Sequence, residues 1–209
     1  MAKIEPFEKH TGRYDEWFTK NRFVFASELN AIRGLLPKAT RGIEIGVGTG
    51  RFGAPLGITI GIEPSRKMGA VARQRGIRVI EATAENLPLK DACFDVALMV
   101  TTICFLDDIE AAFKGVHDIL RNKGAFVIGF VDRESPLGKM YQQRKAQSVF
   151  YQTATFYSVD EVVFYLKQAG FKGFDFRQTI FGLLPAINTI ENSKEGFGEG
   201  SFVVIKAIK

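Results

Sequence analysis

The chain has 209 residues, 46% hydrophobic and 24% charged, with mean hydropathy +0.01, which suits one sizeable core and excludes intrinsic disorder. No apolar run nears the roughly 18 residues of a membrane span, MAKIEPFEKH lacks a signal-type apolar stretch, and Cys93 and Cys104, each inside an apolar run, exclude a disulfide framework and a cysteine zinc site; a cytoplasmic protein is expected. The net charge is +5 and the pI about 9.2, but Lys and Arg are scattered rather than gathered into a stripe, so nucleic acid is not implied and no membrane is expected.

Residues 13–36 carry apolar side chains at Trp17, Phe18, Val24, Phe25, Leu29, Ile32 and Leu36, a helical stripe that predicts one or two amphipathic helices ended by Gly34 and Pro37. Residues 42–47 read as a strand running into a Gly-rich turn and a brief helix broken by Pro55. A second strand, 58–63, ends on Glu63; a helix capped by Ser65 and a third strand, 77–80, follow. CFDVALMV (93–100) is a buried-type strand, the helix after it is closed by Gly124, and AFVIGF (125–130) is the next strand. Beyond it, 137–150 and 158–170 read as helices, and 174–181 and 201–208 as strands that could add as an antiparallel edge. Alternating strand and helix predicts an α/β fold, a doubly wound, mostly parallel sheet, here in one domain over 1–209 with a helical N-terminal extension at 1–38. Oligomeric state is not legible.

Glu44, Gly46, Gly48 and Gly50 form E-x-G-x-G-x-G at the end of the first strand, where glycines permit a tight turn and close approach of a ligand. Glu63 closes the second strand 17 positions after Gly46, placed to accept two ribose hydroxyls. The pair implies an adenosine-containing cofactor. Arg51 stands where a dinucleotide fingerprint needs a small residue, the next helix is short and Pro-broken, and Glu44 would repel a phosphate but could receive an ammonium; the site suits a cation better than a diphosphate.

EIGVGTGRF, GIEPSRKM and ATAENLPLKDACFDVALM, in this order and spacing over about residues 41–130, resemble the successive motifs of the class I S-adenosylmethionine-dependent methyltransferases, close to the small-molecule "type 11" group. The resemblance implies a Rossmann-like, seven-stranded sheet with one antiparallel strand and S-adenosyl-L-methionine as cofactor across its carboxyl edge. By motif position it implies that Gly46, Gly48 and Gly50 pack against methionine and ribose, Glu44 reaches the amino group, Glu63 holds the ribose hydroxyls, and Pro64 and Ser65 shape the adenine side. Ala84 and Glu85, with Asn86, resemble the loop at the adenine edge, although Thr83 replaces the Asp common there. Thr101 stands, with Thr102 and Ile103, where similar enzymes join cofactor and substrate. Asp95 resembles a structural Asp.

Methyl transfer needs alignment and exclusion of water more than a base, and no catalytic base is assigned. His117 reads as a solvated helix position; His10 shares with Tyr14 and Trp17 an extension that in similar enzymes closes as a lid. TTICFLDD departs from the clamp of base-modifying methyltransferases, Asp107, Asp108 and Glu110 read as a helix start, and no metal is expected. The aromatic residues Phe105, Phe130, Tyr141, Phe150, Tyr151, Phe156, Tyr157 and Phe181 are candidates for a cavity that takes a small-molecule methyl acceptor, preferentially an amine. Two further readings stay open at this stage: a silent nucleoside-binding module and an NAD-linked reductase.

Overall fold

In the computed structural model, which describes residues 4–38 and 41–209, eight strands form one sheet: β1 (Gly42–Ile45), β2 (Ile60–Ile62), β3 (Arg78–Ile80), β4 (Phe94–Val100), β5 (Leu120–Val131), β6 (Lys172–Thr179), β7 (Lys194–Glu195) and β8 (Phe202–Ile208). Their order is β3-β2-β1-β4-β5-β8-β6-β7. The run from β3 to β5 is parallel, and β8 lies antiparallel between β5 and β6. This is the Rossmann-like α/β arrangement expected from the sequence, with one strand more. The extra strand, β7, pairs Glu195 and Lys194 with Arg177 and Gln178 at the sheet edge. A two-residue pairing inside a Gly- and Glu-rich loop leaves no alternating pattern to read. Residues 1–3 of the expected extension and residues 39 and 40 behind it lie outside the described residues.

The nearly continuous apolar run of β4 follows from cover on both faces. Val96, Leu98 and Val100 point to one side, where they meet Phe18 of α2 (Thr11–Lys20) and Val24, Ala31 and Ile32 of α3 (Arg22–Leu35). Ala97 and Met99 point to the other, against Phe113 of α5 (Ile109–Ile119) and Val162 of α7 (Val159–Gln168). Side-chain caps set the helix starts: Ser65 accepts from the Met68 amide at 3.2 Å to begin α4 (Arg66–Gln74), and Asp108 from the Ala111 amide at 2.9 Å to begin α5.

Four helices depart from expectation. A short helix, α1 (Glu5–Lys9), precedes α2, and α3 runs through Gly34 to Leu35; the glycine ends nothing there, and a Cβ on it would come within 2.9 Å of the Arg177 Nε. Helix α5 stops at Ile119, well before Gly124, because the fully buried Leu120 already pairs with Phe94 in the sheet. Helix α6 (Pro136–Gln143) is followed by a 3-10 turn, Lys145–Gln147, instead of continuing to 150. The chain then bends so that Tyr151 meets Tyr141 and Phe156, ring centroids 5.0 and 5.5 Å apart.

Candidate active site

Strand β1 lies between β2 and β4, so the chain winds outward on one side of it and returns on the other, leaving a crevice at the strands' carboxyl ends. The loop after β1 lines that crevice. Gly46 and Gly48 have φ of 73° and 54°, the left-handed region that favours glycine; a Cβ on Gly46 would strike Thr102, and one on Gly48 would touch the Tyr14 hydroxyl at 3.4 Å and Met68 Cε at 3.5 Å. Glu63 ties the loop to β2: its Oε2 accepts the Gly48 amide at 2.8 Å and its Oε1 the Ser65 amide at 2.8 Å. Burial pushes its carboxyl up to about 7 against the opposing pull of those two amides.

Of the ten residues singled out in the sequence, Gly46, Gly48, Glu63, Pro64, Ala84, Glu85 and Thr101 border one cavity of about 100 Å³. Three do not. Glu44 is 1% exposed; burial raises its carboxyl well above the usual range, the Gly53 amide is its opposing partner, and its Oε2 has no hydrogen bond. It therefore stands outside the lining, contrary to the expected reach toward an amino group. Gly50 packs instead toward Ile77, whose Cδ1 would lie 2.8 Å from an added Cβ. The Ser65 hydroxyl serves the α4 cap and donates to Glu8 Oε1 at 2.7 Å.

The other wall is the N-terminal extension, which contributes Ile4, Phe7 and Tyr14 to the lining. Two attachments hold it. Glu8 accepts from Ser65 and from the Lys67 amide at the start of α4. Asp15 accepts from Thr49 Oγ1 at 2.8 Å, from Arg51 Nε at 2.9 Å and Nη2 at 2.5 Å, and from Arg75 Nη2 at 2.8 Å. Burial pushes the Asp15 carboxyl up, but the hydrogen bonds from Arg51, Arg75 and Thr49 together hold it well below the usual carboxylate range.

A second cavity, about 470 Å³, adjoins the first and shares Phe7, Tyr14, Thr101 and Phe105 with it. Thr101, with a φ of 51° outside the region normal for a β-branched residue, stands where they meet. Of the aromatic candidates, Phe105, Tyr141, Phe150 and Tyr151 line this larger cavity, joined by Trp17, Phe18 and Phe52. Phe130, Phe156 and Tyr157 line a small neighbouring recess, and Phe181 faces solvent, 36% exposed. His10 borders neither cavity. His117, expected on a solvated face, packs edge-on against Phe171 far along the sheet. Asp95 is structural, accepting from the Arg41 amide and from Arg121. Among the described residues no cluster of His, Cys, Asp or Glu could hold a metal, and no helix is long and apolar enough to cross a membrane.

Sequence reasoning missed Glu28. It lines the larger cavity from α3, 5% exposed, and the signal was present: it is the acidic member of an i, i+4, i+8 series whose other members, Val24 and Ile32, are core.

The donor set fits an adenosyl sulfonium: a buried acid at the end of β2, glycines that leave the loop backbone bare, and a wall without a phosphate-binding cation among its lining residues. Residues 43–128 match the family model for a methyltransferase domain. A SAM-dependent methyltransferase of Thermotoga maritima, named a possible histamine N-methyltransferase, is 51% identical, with a TM-score of 0.97 over 99% of both chains. An uncharacterized protein of Methanocaldococcus jannaschii is 43% identical over 97% of this chain and 98% of its own, and one of Mycobacterium tuberculosis is 36% identical over 93% and 70%. The chain is a methyltransferase that uses S-adenosyl-L-methionine, and it belongs to the class I S-adenosylmethionine-dependent family.

Proposed function

We propose that the enzyme moves the methyl group to a nitrogen of a small amine held in the aromatic cavity. The observation that carries this reading is the 470 Å³ space, walled by rings, that meets the cofactor side at Thr101; its size is that of small-molecule sites, about 300–1,000 Å³. Ring faces attract ammonium groups, and the name given to the Thermotoga maritima relative supports the same acceptor class.

Bound S-adenosylmethionine supplies a methyl carbon made electrophilic by its sulfonium. Glu63 accepts the ribose hydroxyls with the lone pairs its two amide partners leave free. Gly46 and Gly48 let the loop backbone approach the ligand, with Gly50 and Glu44 supporting that loop from below; Pro64, Ala84 and Glu85 border the adenine side, and Ser65 anchors Glu8 of the lid. Residues 4–38 of the extension close over this core, 41–130, while 131–209 complete the acceptor wall. Aligning the two reactants and keeping water out is the work of Tyr14, Phe105 and Thr101. The test is turnover: labelled S-adenosylmethionine with a library of small amines and matched alcohols should label amines, and label only in alcohols would overturn the reading.

A further inference from the structure

Among the described residues Glu28 has the least support of the buried acids, which are Glu28, Glu44, Glu63 and Asp132. Glu63 has two amides, Glu44 has that of Gly53, and Asp132 has that of Glu134. No hydrogen bond or ion pair to the Glu28 carboxylate exists among the described residues, although its side chain borders the aromatic cavity. The titratable groups around it are the phenols of Tyr14, Tyr141 and Tyr151, all themselves pushed up by burial. The cavity's two arginines, Arg13 and Arg144, are exposed, and burial alone sets the Glu28 carboxyl at about 8. An unpaired acid so deeply buried is costly, and this one faces a space of about 470 Å³ into which a cation could come.

We propose that Glu28 anchors a positively charged end of the methyl acceptor, and that this charged end is a different atom from the one methylated. The proposal rests on the reading of the aromatic cavity as the acceptor site. One observation and one point of chemistry separate the ends. Glu28 borders only the acceptor cavity, whereas the junction with the cofactor side is built by Phe7, Tyr14, Thr101 and Phe105. A protonated nitrogen has no lone pair to give, so the atom at the junction is a second, neutral nitrogen. An ammonium at Glu28 donates to the carboxylate with the rings of Tyr141 and Tyr151 around it. At the junction the N–C bond forms as the S–C bond breaks, the bond pair stays on sulfur, and the positive charge passes to the methylated group, which returns to neutrality by giving a proton to solvent on release: an amine gives the N–H of the methylated nitrogen, an imidazole the N–H of its other ring nitrogen. Glu28 binds and orients, and takes no proton from the reacting atom.

Calorimetry on protein saturated with S-adenosylhomocysteine tests this with phenethylamine, histamine and 2-phenylethanol as probes. The ammonium probes should bind more tightly than the alcohol, and Glu28→Gln should weaken them by about 10- to 100-fold while leaving the alcohol and S-adenosylhomocysteine unchanged. In the wild-type protein at pH 7, amine binding should release a fraction of a proton, read from buffers of different ionisation enthalpy, and alcohol binding none; this measurement stands even where the variant fails to fold. With S-adenosylmethionine, histamine should be methylated and phenethylamine bound without turnover. Equal binding of amine and alcohol, amine affinity unchanged in Glu28→Gln, or methylation of phenethylamine overturns the inference. Binding of no probe to protein that holds S-adenosylhomocysteine overturns the anchor and leaves methyl transfer standing; failure to hold S-adenosylhomocysteine overturns the cofactor assignment beneath both.

Discussion

The Glu63 carboxylate accepts the Gly48 amide at 2.8 Å, so the acid at the end of β2 fixes the conformation of the glycine loop that follows β1. One side chain thus shapes the loop and borders the cavity. Glu63→Ala should weaken S-adenosylhomocysteine binding by about 1.5–3 kcal/mol, the range for hydrogen bonds to a charged group, as read by calorimetry. Because burial holds the carboxyl near 7 in the free protein, binding should also take up fewer protons, or release more, in the wild type than in Glu63→Gln. An unchanged affinity in Glu63→Ala would remove the ribose assignment.

Gly48 is replaceable in the fold but not in the site. Its φ of 54° and the proximity of Tyr14 and Met68 mean that a branched side chain meets both backbone strain and the space a ligand would use. Gly48→Val should melt cooperatively, within about 1–3 kcal/mol of wild type, and show no rise in melting temperature with S-adenosylhomocysteine. A normal ligand-induced rise would mean that the loop is a turn and nothing more.

Asp15 is the bolt of the N-terminal cover. It joins α2 to Thr49 and Arg51 of the glycine loop and to Arg75 at the end of α4. With the cover in this position the cavity at the strand ends is about 100 Å³, below the roughly 300 Å³ at which small-molecule sites begin, and a shift of α1 and α2 is the step expected to admit a ligand. Asp15→Asn should speed release of S-adenosylhomocysteine several-fold and lower stability by about 1–2 kcal/mol, the pairs being partly exposed. Trp17, the chain's single tryptophan, lies on the same helix and lines the larger cavity, so its fluorescence in stopped flow reads the step directly. The folded carboxyl is held below its unfolded value; its contribution is present above the unfolded value of 3.8 and disappears as pH falls through the folded one. A release rate indifferent to Asp15 would separate the cover from ligand exchange.

The parts of this arrangement that were legible in the sequence are local in the chain. Ser65 is read as a cap because a cap needs only the next three residues, Asp108 as part of an acidic helix start because charge at a first turn is local, and Gly46, Gly48 and Glu63 because strand, turn and strand follow one another in the chain. Asp15 meets Arg51 and Arg75 across 36 and 60 residues, and no pattern along the chain announces such a meeting. Glu44 shows the opposite failure: its motif position is clear, yet whether the carboxylate turns into the cavity or under the loop is decided by packing against Gly53. The aromatic candidates divided for the same reason. Tyr141 and Tyr151 reach the cavity because the chain leaves helical geometry between them, a departure that nothing in KAQSVFYQTATF makes obligatory.

Glu28 makes the pH dependence of stability unusual for a carboxylate. Burial raises its folded value from 4.5 to about 8, so below about pH 4.5 both folded and unfolded chains carry it protonated and it costs nothing extra. Between about 4.5 and 8 the unfolded chain ionises it while the folded chain resists, and stability is lost as pH rises, by up to a few kcal/mol above pH 8. Glu44 and Glu63 push in the same direction, so the comparison must isolate one residue. Glu28→Gln removes its share alone: the melting temperature of the variant relative to wild type should climb between pH 5 and pH 8.5 by about 4–10 °C, with the two curves parallel below pH 4.5. The slope of the difference, rather than its absolute value, carries the prediction, since a buried Gln brings its own desolvation. A difference that stays flat across that window would mean that the carboxyl already has a partner in the folded protein, and the cavity would lose its one buried acid in search of a cation.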